Sequence, residues 1–243
     1  MLKIKGMNIP RIKCVGCGAE IPEGMACGYC LGLLDEPKDY NYHSFEVVGN
    51  RRKNARSNIW GFGVEIETLS TSPKQLVLLK KGFTPCYDSS VTLEWKSPIF
   101  QSLVGFKGIC KMIEKMDVEH GGSHVHISVK RKDLFEDYYK EIFYPLAEYL
   151  DGSAYYRIWG RQDNDYCELP GYPDSRYSWV NVQTKYNTVE WRLPKFLNAK
   201  QYYELVKWLI NITWAVDNKL MKNQRPGDVG QWILRTYQEQ MAA

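Results

Sequence analysis

Histidine is scarce in this chain, four in 243 residues, and long apolar runs are missing altogether. The most apolar helical stretch, around Trp208 to Val216, is interrupted by Asn211 and Thr213, and the opening Met1-Leu2-Lys3-Ile4-Lys5-Gly6 leads into no apolar segment. A membrane-crossing helix needs roughly 20 apolar residues and a secretory leader needs its own apolar core, so the sequence predicts a soluble, cytoplasmic protein with no membrane partner. Internal repeats and low-complexity tracts are absent too, which argues against a solenoid or a disordered array. A large charge of one sign is also lacking: 32 Lys and Arg against 28 Asp and Glu leave a formal charge of +4. Residues 1–58 hold nine of the basic residues and six of the acidic ones, so the small excess sits at the N-terminus. Nucleic-acid binding is allowed by this balance, not demanded or favoured.

What is present is an ordinary globular composition, 44% hydrophobic and 25% charged, with length for one sizeable core and a small appendage. Eight Trp and seventeen Tyr suit ligand clefts and interfaces, although buried aromatic core is the commoner use. Seven cysteines is an odd number, and four of them form the knuckles Cys14-Val15-Gly16-Cys17 and Cys27-Gly28-Tyr29-Cys30. Two such knuckles nine residues apart supply the four thiolates of a closed tetrahedral site, so residues 1–34 are expected to form a ribbon around a structural Zn2+. A redox dithiol is the competing reading. Cys86, Cys110 and Cys167 are then spare core thiols. Residues 35–58, which end in the basic run Arg51-Arg52-Lys53-Asn54-Ala55-Arg56, read as a linker or basic arm.

From residue 59 onward one pattern recurs. In Gly61 to Thr68, Phe62, Val64 and Ile66 alternate with the carboxylates Glu65 and Glu67. Val91, Leu93 and Trp95 alternate with Thr92, Glu94 and Lys96; Val125, Ile127 and Val129 with His124, His126 and Ser128; Val189, Trp191 and Leu193 with Glu190 and Arg192. Each segment alone fits the outer face of an antiparallel sheet washed by water. Together they gather four carboxylates, two histidines and an arginine, where a solvated face draws on Thr, Lys, Gln and Ser. If the four strands share a sheet, divalent metals are the economical balance, and carboxylates mixed with histidine suit Mg2+ or Mn2+. An arginine beside them points to a phosphorylated species. Helices are expected at Ser72-Pro73 to Gly82, 102–116, 132–150, from Asn198, and from near Pro226, with 152–178 as an extended loop region.

The combination of Gly63-x-Glu65-x-Glu67, Asp88-Ser89-Ser90-Val91-x-x-Glu94, Ser123-His124-Val125-His126 and Arg176-Tyr177-x-x-Val180-Asn181, leading to Thr188-Val189-Glu190-Trp191-Arg192, resembles the amidoligase family. That family belongs to the glutamine synthetase-like carboxylate–amine ligases, and many members are encoded by phages and bacteria. The resemblance covers about residues 59–200 and leaves out the cysteine-rich start. It implies an α+β fold over residues 59–243, a curved antiparallel sheet with helices packed on one face, whose concave face holds ATP and two or three Mg2+ ions. Glu65, Glu67, Glu94 and Glu190 would be metal ligands, joined by one of the histidines, with His124 matched to that role. Arg192 would meet the transferring phosphoryl, and Arg176 or Arg161 would assist on the nucleotide or acyl phosphate, with Lys96 as further counter-charge at the cofactor. Glu67, His126, Glu190 and Arg192 are the candidate catalytic residues. The implied reaction joins a carboxylate and an amine, on a small molecule, peptide or protein, through an acyl phosphate. The zinc ribbon would recruit a macromolecular substrate. Two other readings of the same residues stay open: a metal-dependent phosphoesterase or nuclease, and a non-catalytic zinc-ribbon adaptor.

Overall fold

The computed structural model describes residues 61–70, 72–88, 91–150, 159–160, 167–184 and 187–242, together with the backbone of five short strands nearer the N-terminus. Those are β1 (Lys3–Ile4), β2 (Met7–Asn8), β3 (Arg11–Lys13), β4 (Glu20–Pro22) and β5 (Val47–Val48). β1 pairs with β2 and β3 with β4, both antiparallel. Cys14, Cys17, Cys27 and Cys30, and with them the expected zinc site, lie outside the described residues, as do the basic run 51–56 and Arg161.

The alternating segments of the sequence do become strands. β6 (Phe62–Thr68), β8 (Val91–Lys96), β10 (His120–Ser128) and β12 (Thr188–Trp191) join β7 (Thr84–Asp88), β9 (Ile99–Phe100) and β11 (Val180–Asn181). With β5 they form one eight-stranded sheet in the order β11-β12-β10-β6-β8-β7, β9 lying beside β6 and β5 beside β9. The pairings are antiparallel apart from β5 with β9, and the sheet stays open.

Period-2 patterning sends Val64, Ile66, Leu93, Trp95, Val125, Ile127, Val189 and Trp191 to one face, where each is at most 3% exposed. Against that face pack α1 (Phe106–Glu114), α3 (Tyr139–Leu150) and α4 (Ala199–Met221). Ring contacts tie the layers together: Phe62 meets Phe106 edge-on at 5.2 Å, and Trp191 meets Phe143 at 5.7 Å and Trp208 at 6.5 Å. The aromatic wealth of the sequence is thus spent largely on the core, where Trp95, Trp159, Trp179 and Trp191 are among the largest fully buried side chains. Cys110 and Cys167 are buried free thiols, as expected. α2 (Lys132–Asp137) and α5 (Pro226–Ala242) complete the helices named here, giving a mixed α+β architecture.

Local signals set the helix ends. Asn198 accepts the Gln201 amide at 2.9 Å and starts α4. Ser72 and Gln75 exchange hydrogen bonds across the start of a 3-10 helix over Pro73–Lys81, which Gly82 ends at φ +78°. The single helix expected over 132–150 is instead two, α2 and α3, broken at Tyr138, while Pro145 sits inside α3. A proline removes the amide that would bond the carbonyl four residues back, here Glu141. Gly230 of α5 lies against that freed carbonyl, so closely that a Cβ there would stand 2.1 Å from Glu141 O. Among the described residues no helix is long and apolar enough to cross a membrane.

Candidate metal centre

Register decides which polar side chains meet. Glu65 stands opposite His124 on β10 and opposite Lys96 on β8. One row along, roughly 7 Å away, Glu67 stands opposite Glu94; in the other direction His126 pairs with Gly63 and Glu190, and Glu190 with Asn181. Three adjacent rows on the face turned away from the helices therefore carry Glu65, Glu67, Glu94, Glu190, Lys96, His124, His126 and Asn181. Glycine at 63 leaves the place beside His126 without a side chain.

His124 is central to the cluster. Its Nδ1 lies 3.1 Å from Glu65 Oε2 and 3.2 Å from Glu190 Oε1, and its Nε2 lies 3.3 Å from Glu67 Oε1. His126 Nε2 stands 3.4 Å from Glu65 Oε1 and 3.9 Å from Glu190 Oε1. Lys96 Nζ bridges Glu65 Oε1 at 2.6 Å and Glu94 Oε2 at 2.9 Å, and Arg192 donates to Glu190 Oε1 at 2.6 Å. Asn181 donates to the other Glu190 oxygen at 2.6 Å. The Gly122 amide donates to Glu67 Oε2 at 2.7 Å from a bulge between His120 and Ser123. Glu65, Glu94, His124 and Glu190 are all buried.

Buried carboxylates without partners would take up protons, and the neighbours decide which do. Burial acts to raise Glu65, but the charges of His126 and Lys96 and the hydrogen bond from His124 hold it well below the usual carboxyl range. Burial likewise opposes the ionised form of Glu190, yet His126 and Arg192 lower it. Glu94 goes the other way: burial and the adjacent Glu65 charge push it well above the usual range against the pull of Lys96. Lys96, although buried, is held above an ordinary lysine by Glu65 and Glu94, and His126 is raised by Glu65 and Glu190 despite its burial.

Two sets of side chains bring ligand atoms within 4.8 Å of one another: Glu65, His126 and Glu190, and Glu65, Glu94 and His124. Glu65 belongs to both. The residues fit a divalent cation on grounds beyond acidity, because the buried Nε2 atoms of His124 and His126 sit beside carboxylate oxygens, 3.3 Å from Glu67 Oε1 and 3.4 Å from Glu65 Oε1, in contacts too poorly aligned to be good hydrogen bonds. A cation between imidazole nitrogen and carboxylate oxygen would satisfy both. Carboxylate oxygens with imidazole nitrogen suit Mg2+ or Mn2+.

Glu65, Glu67, Glu94, Lys96, His124, His126, Glu190 and Arg192 are brought together. Arg176 is not in the cluster; it is exposed and lies over the Tyr177 ring at 5.0 Å. No role for Asn181 or the Gly122 amide follows from the sequence, although Asn181 stands in the Arg176-Tyr177-x-x-Val180-Asn181 motif. Only the hairpin register and the bulge turn them toward Glu190 and Glu67. Compared with known proteins, the chain finds no match among family models, curated proteins or solved structures.

Proposed function

We propose that the chain is an ATP- and Mg2+-dependent ligase of the amidoligase type, joining a carboxylate to an amine through an acyl phosphate. The observation that carries this reading is the convergence, on one buried sheet face, of Glu65, Glu67, Glu94 and Glu190 with His124, His126, Lys96 and Arg192. A carboxylate is inert toward amines at neutral pH. Its oxygen must first attack the terminal phosphorus of ATP, releasing ADP, before the amine attacks the acyl carbon and phosphate departs.

Divalent cations bound by the Glu and His set would draw electron density from the transferring phosphoryl group and neutralise its charge. The chain's own groups hold the remaining charge in place. Arg192, fixed by Glu190, presents a guanidinium whose planar donors match phosphoryl oxygens. Asn181 fixes the opposite oxygen of Glu190, so the carboxylate that orients Arg192 cannot rotate freely. Gly122 does the same for Glu67.

The test is release of ADP that requires Mg2+, a carboxylate and an amine together, measured by a coupled assay on candidate substrate pairs. Replacing Glu67 by Gln or Arg192 by Ala is expected to cut that rate by about 10²-fold or more, the usual scale for a lost electrostatic contact to the transition state. Unchanged rates in both variants overturn the assignment. Cleavage of a phosphoester by the metal-loaded protein without ATP would favour the phosphoesterase reading.

A further inference from the structure

The outer surface of the helix layer has a charge pattern that the chemistry of the carboxylate cluster does not use. On α1, Lys107, Lys111 and Lys115, the last at its C-terminal cap, recur every fourth residue and are all exposed, while Phe106, Ile109, Cys110 and Ile113 are buried. With a rise of 1.5 Å per residue, successive lysines stand roughly 6 Å apart along one side of the helix. α4 packs beside α1 and runs the opposite way. Lys107 Nζ, near the start of α1, lies 5.9 Å from the centre of the Tyr203 ring, whereas Glu114, near its end, accepts the Ala199 amide at 2.9 Å. The exposed Lys200, in the first turn of α4, therefore stands beside the end of α1 that holds Lys111 and Lys115.

The acids of this region are engaged elsewhere. Glu114 holds the Ala199 amide, Glu204 is paired with Lys207 at 3.4 Å, and Asp117 with Lys74 at 3.1 Å. Among the described residues, Lys107, Lys111, Lys115 and Lys200 enter no ion pair. Residues 106–115 and 199–207 hold five lysines against two glutamates, a formal charge of +3 in a chain whose total is +4. Like charges one helical turn apart repel each other, and a polyanion laid across them relieves that repulsion.

The side chains also say which polyanion. Lysine meets phosphate oxygens as a point charge, and within these two segments there is no arginine and no exposed aromatic ring to read or stack on a base. Such a face holds a phosphate backbone and leaves the sequence unread. A bilayer would take apolar side chains along with the lysines; within residues 106–115 and 199–207 no large apolar side chain is exposed, and the exposed Val104 precedes α1. Duplex nucleic acid presents one negative charge per about 1.7 Å of its axis, so a stripe roughly 12 Å long faces more phosphates than it has lysines.

We propose that the outer face of α1 and the first turns of α4 form a docking surface for a nucleic-acid duplex, held through its phosphate backbone by Lys107, Lys111, Lys115 and Lys200. The surface lies across the sheet from the Glu and His cluster, because α1 and α4 cover the apolar sheet face. A docked duplex thus leaves the candidate metal centre open, and the assignment does not rest on the ligase reading.

The experiment follows the full-length protein binding a fluorescently labelled DNA duplex of mixed sequence, by anisotropy and without ATP, as salt rises. Four phosphate contacts give log K against log salt a slope of about −3.6 or steeper for the wild-type chain. Lys111→Gln combined with Lys115→Gln should make that slope shallower by about 2, while Lys140→Gln, at an exposed position on α3, should leave it unchanged. All three side chains are exposed, so folding is not at stake. No binding by the wild-type chain at low salt, or parallel slopes for the wild-type chain and the double variant, would show a merely solvated face and overturn the proposal. So would a double variant that keeps the wild-type slope on DNA but loses binding to vesicles of phosphatidylserine and phosphatidylcholine, which would assign the face to a bilayer.

Discussion

Asn181 shows how a neutral side chain can govern a charged cluster. Glu190 is buried with one oxygen on the Arg192 guanidinium and within 3.2 Å of His124, and its other oxygen has the Asn181 amide at 2.6 Å. Asn181 in turn accepts the Gln183 amide at 2.8 Å, which fixes which end of its side chain faces the carboxylate. Removing a donor from a buried charged acceptor costs more than removing one from a neutral acceptor, because the carboxylate keeps its desolvation penalty. Asn181→Ala is therefore expected to destabilise the protein by about 1.5–3 kcal/mol in denaturant titration. A loss under about 0.5 kcal/mol would mean that water replaces the amide and that Glu190 is less enclosed than its burial implies. The residue was visible in the sequence as part of Arg176-Tyr177-x-x-Val180-Asn181. Its target was not, because an asparagine carries no charge pattern to flag it and its partner is set by the β11–β12 register.

Among the elements, the strands of the site were legible because period-2 alternation is a local property, and 62–68, 91–96 and 188–191 follow it closely. β9 is two residues long and carries no alternation to read. β10 begins at His120, earlier than the alternation suggests, because Gly121 and Gly122 form a bulge whose purpose lies on another strand, at Glu67. The Tyr138 break was equally hidden, and although a helix is expected to run across Pro145, as it does, what accommodates that proline is a glycine 85 residues later. Gly230 lets α5 run against the Glu141 carbonyl that Pro145 leaves without its helical partner. A Cβ at 230 would stand 2.1 Å from that backbone oxygen and 3.1 Å from Ile142 O and Pro145 Cγ. Alanine usually strengthens a helix by up to about 1 kcal/mol relative to glycine, so an ordinary helical site predicts gain. Here overlap with backbone wins, and Gly230→Ala should lower stability by about 1–3 kcal/mol, the usual cost of overpacking. A rise in melting temperature would show that α3 and α5 do not approach as closely as this contact requires.

At the scale of the whole molecule, one layer of helices covers one sheet face and a mutually neutralising set of charges fills part of the other, so acid should act on the fold unevenly. His120, at the bulged start of β10, packs on Phe196 with ring centroids 4.7 Å apart, and its Nδ1 is buried without a hydrogen bond. Burial, and then the nearby Lys195 charge, push its pKa down to about 4 from 6.5. The native protein thus keeps this ring neutral where the unfolded chain protonates it. Because the folded value is the lower one, the unfolded state binds more protons between about pH 6.5 and pH 4, and stability falls as pH falls across that window. Partial contact with solvent holds the effect to about 1–2 kcal/mol. His126 titrates in the opposite sense, raised by Glu65 and Glu190, so the wild-type pH profile mixes the two. The difference between wild-type protein and His120→Gln isolates one ring: the variant should lose less stability between pH 7 and pH 4.5, followed by urea titration without metal. Parallel pH profiles for the two proteins would show that His120 is as free to take up a proton in the folded chain as in the unfolded one.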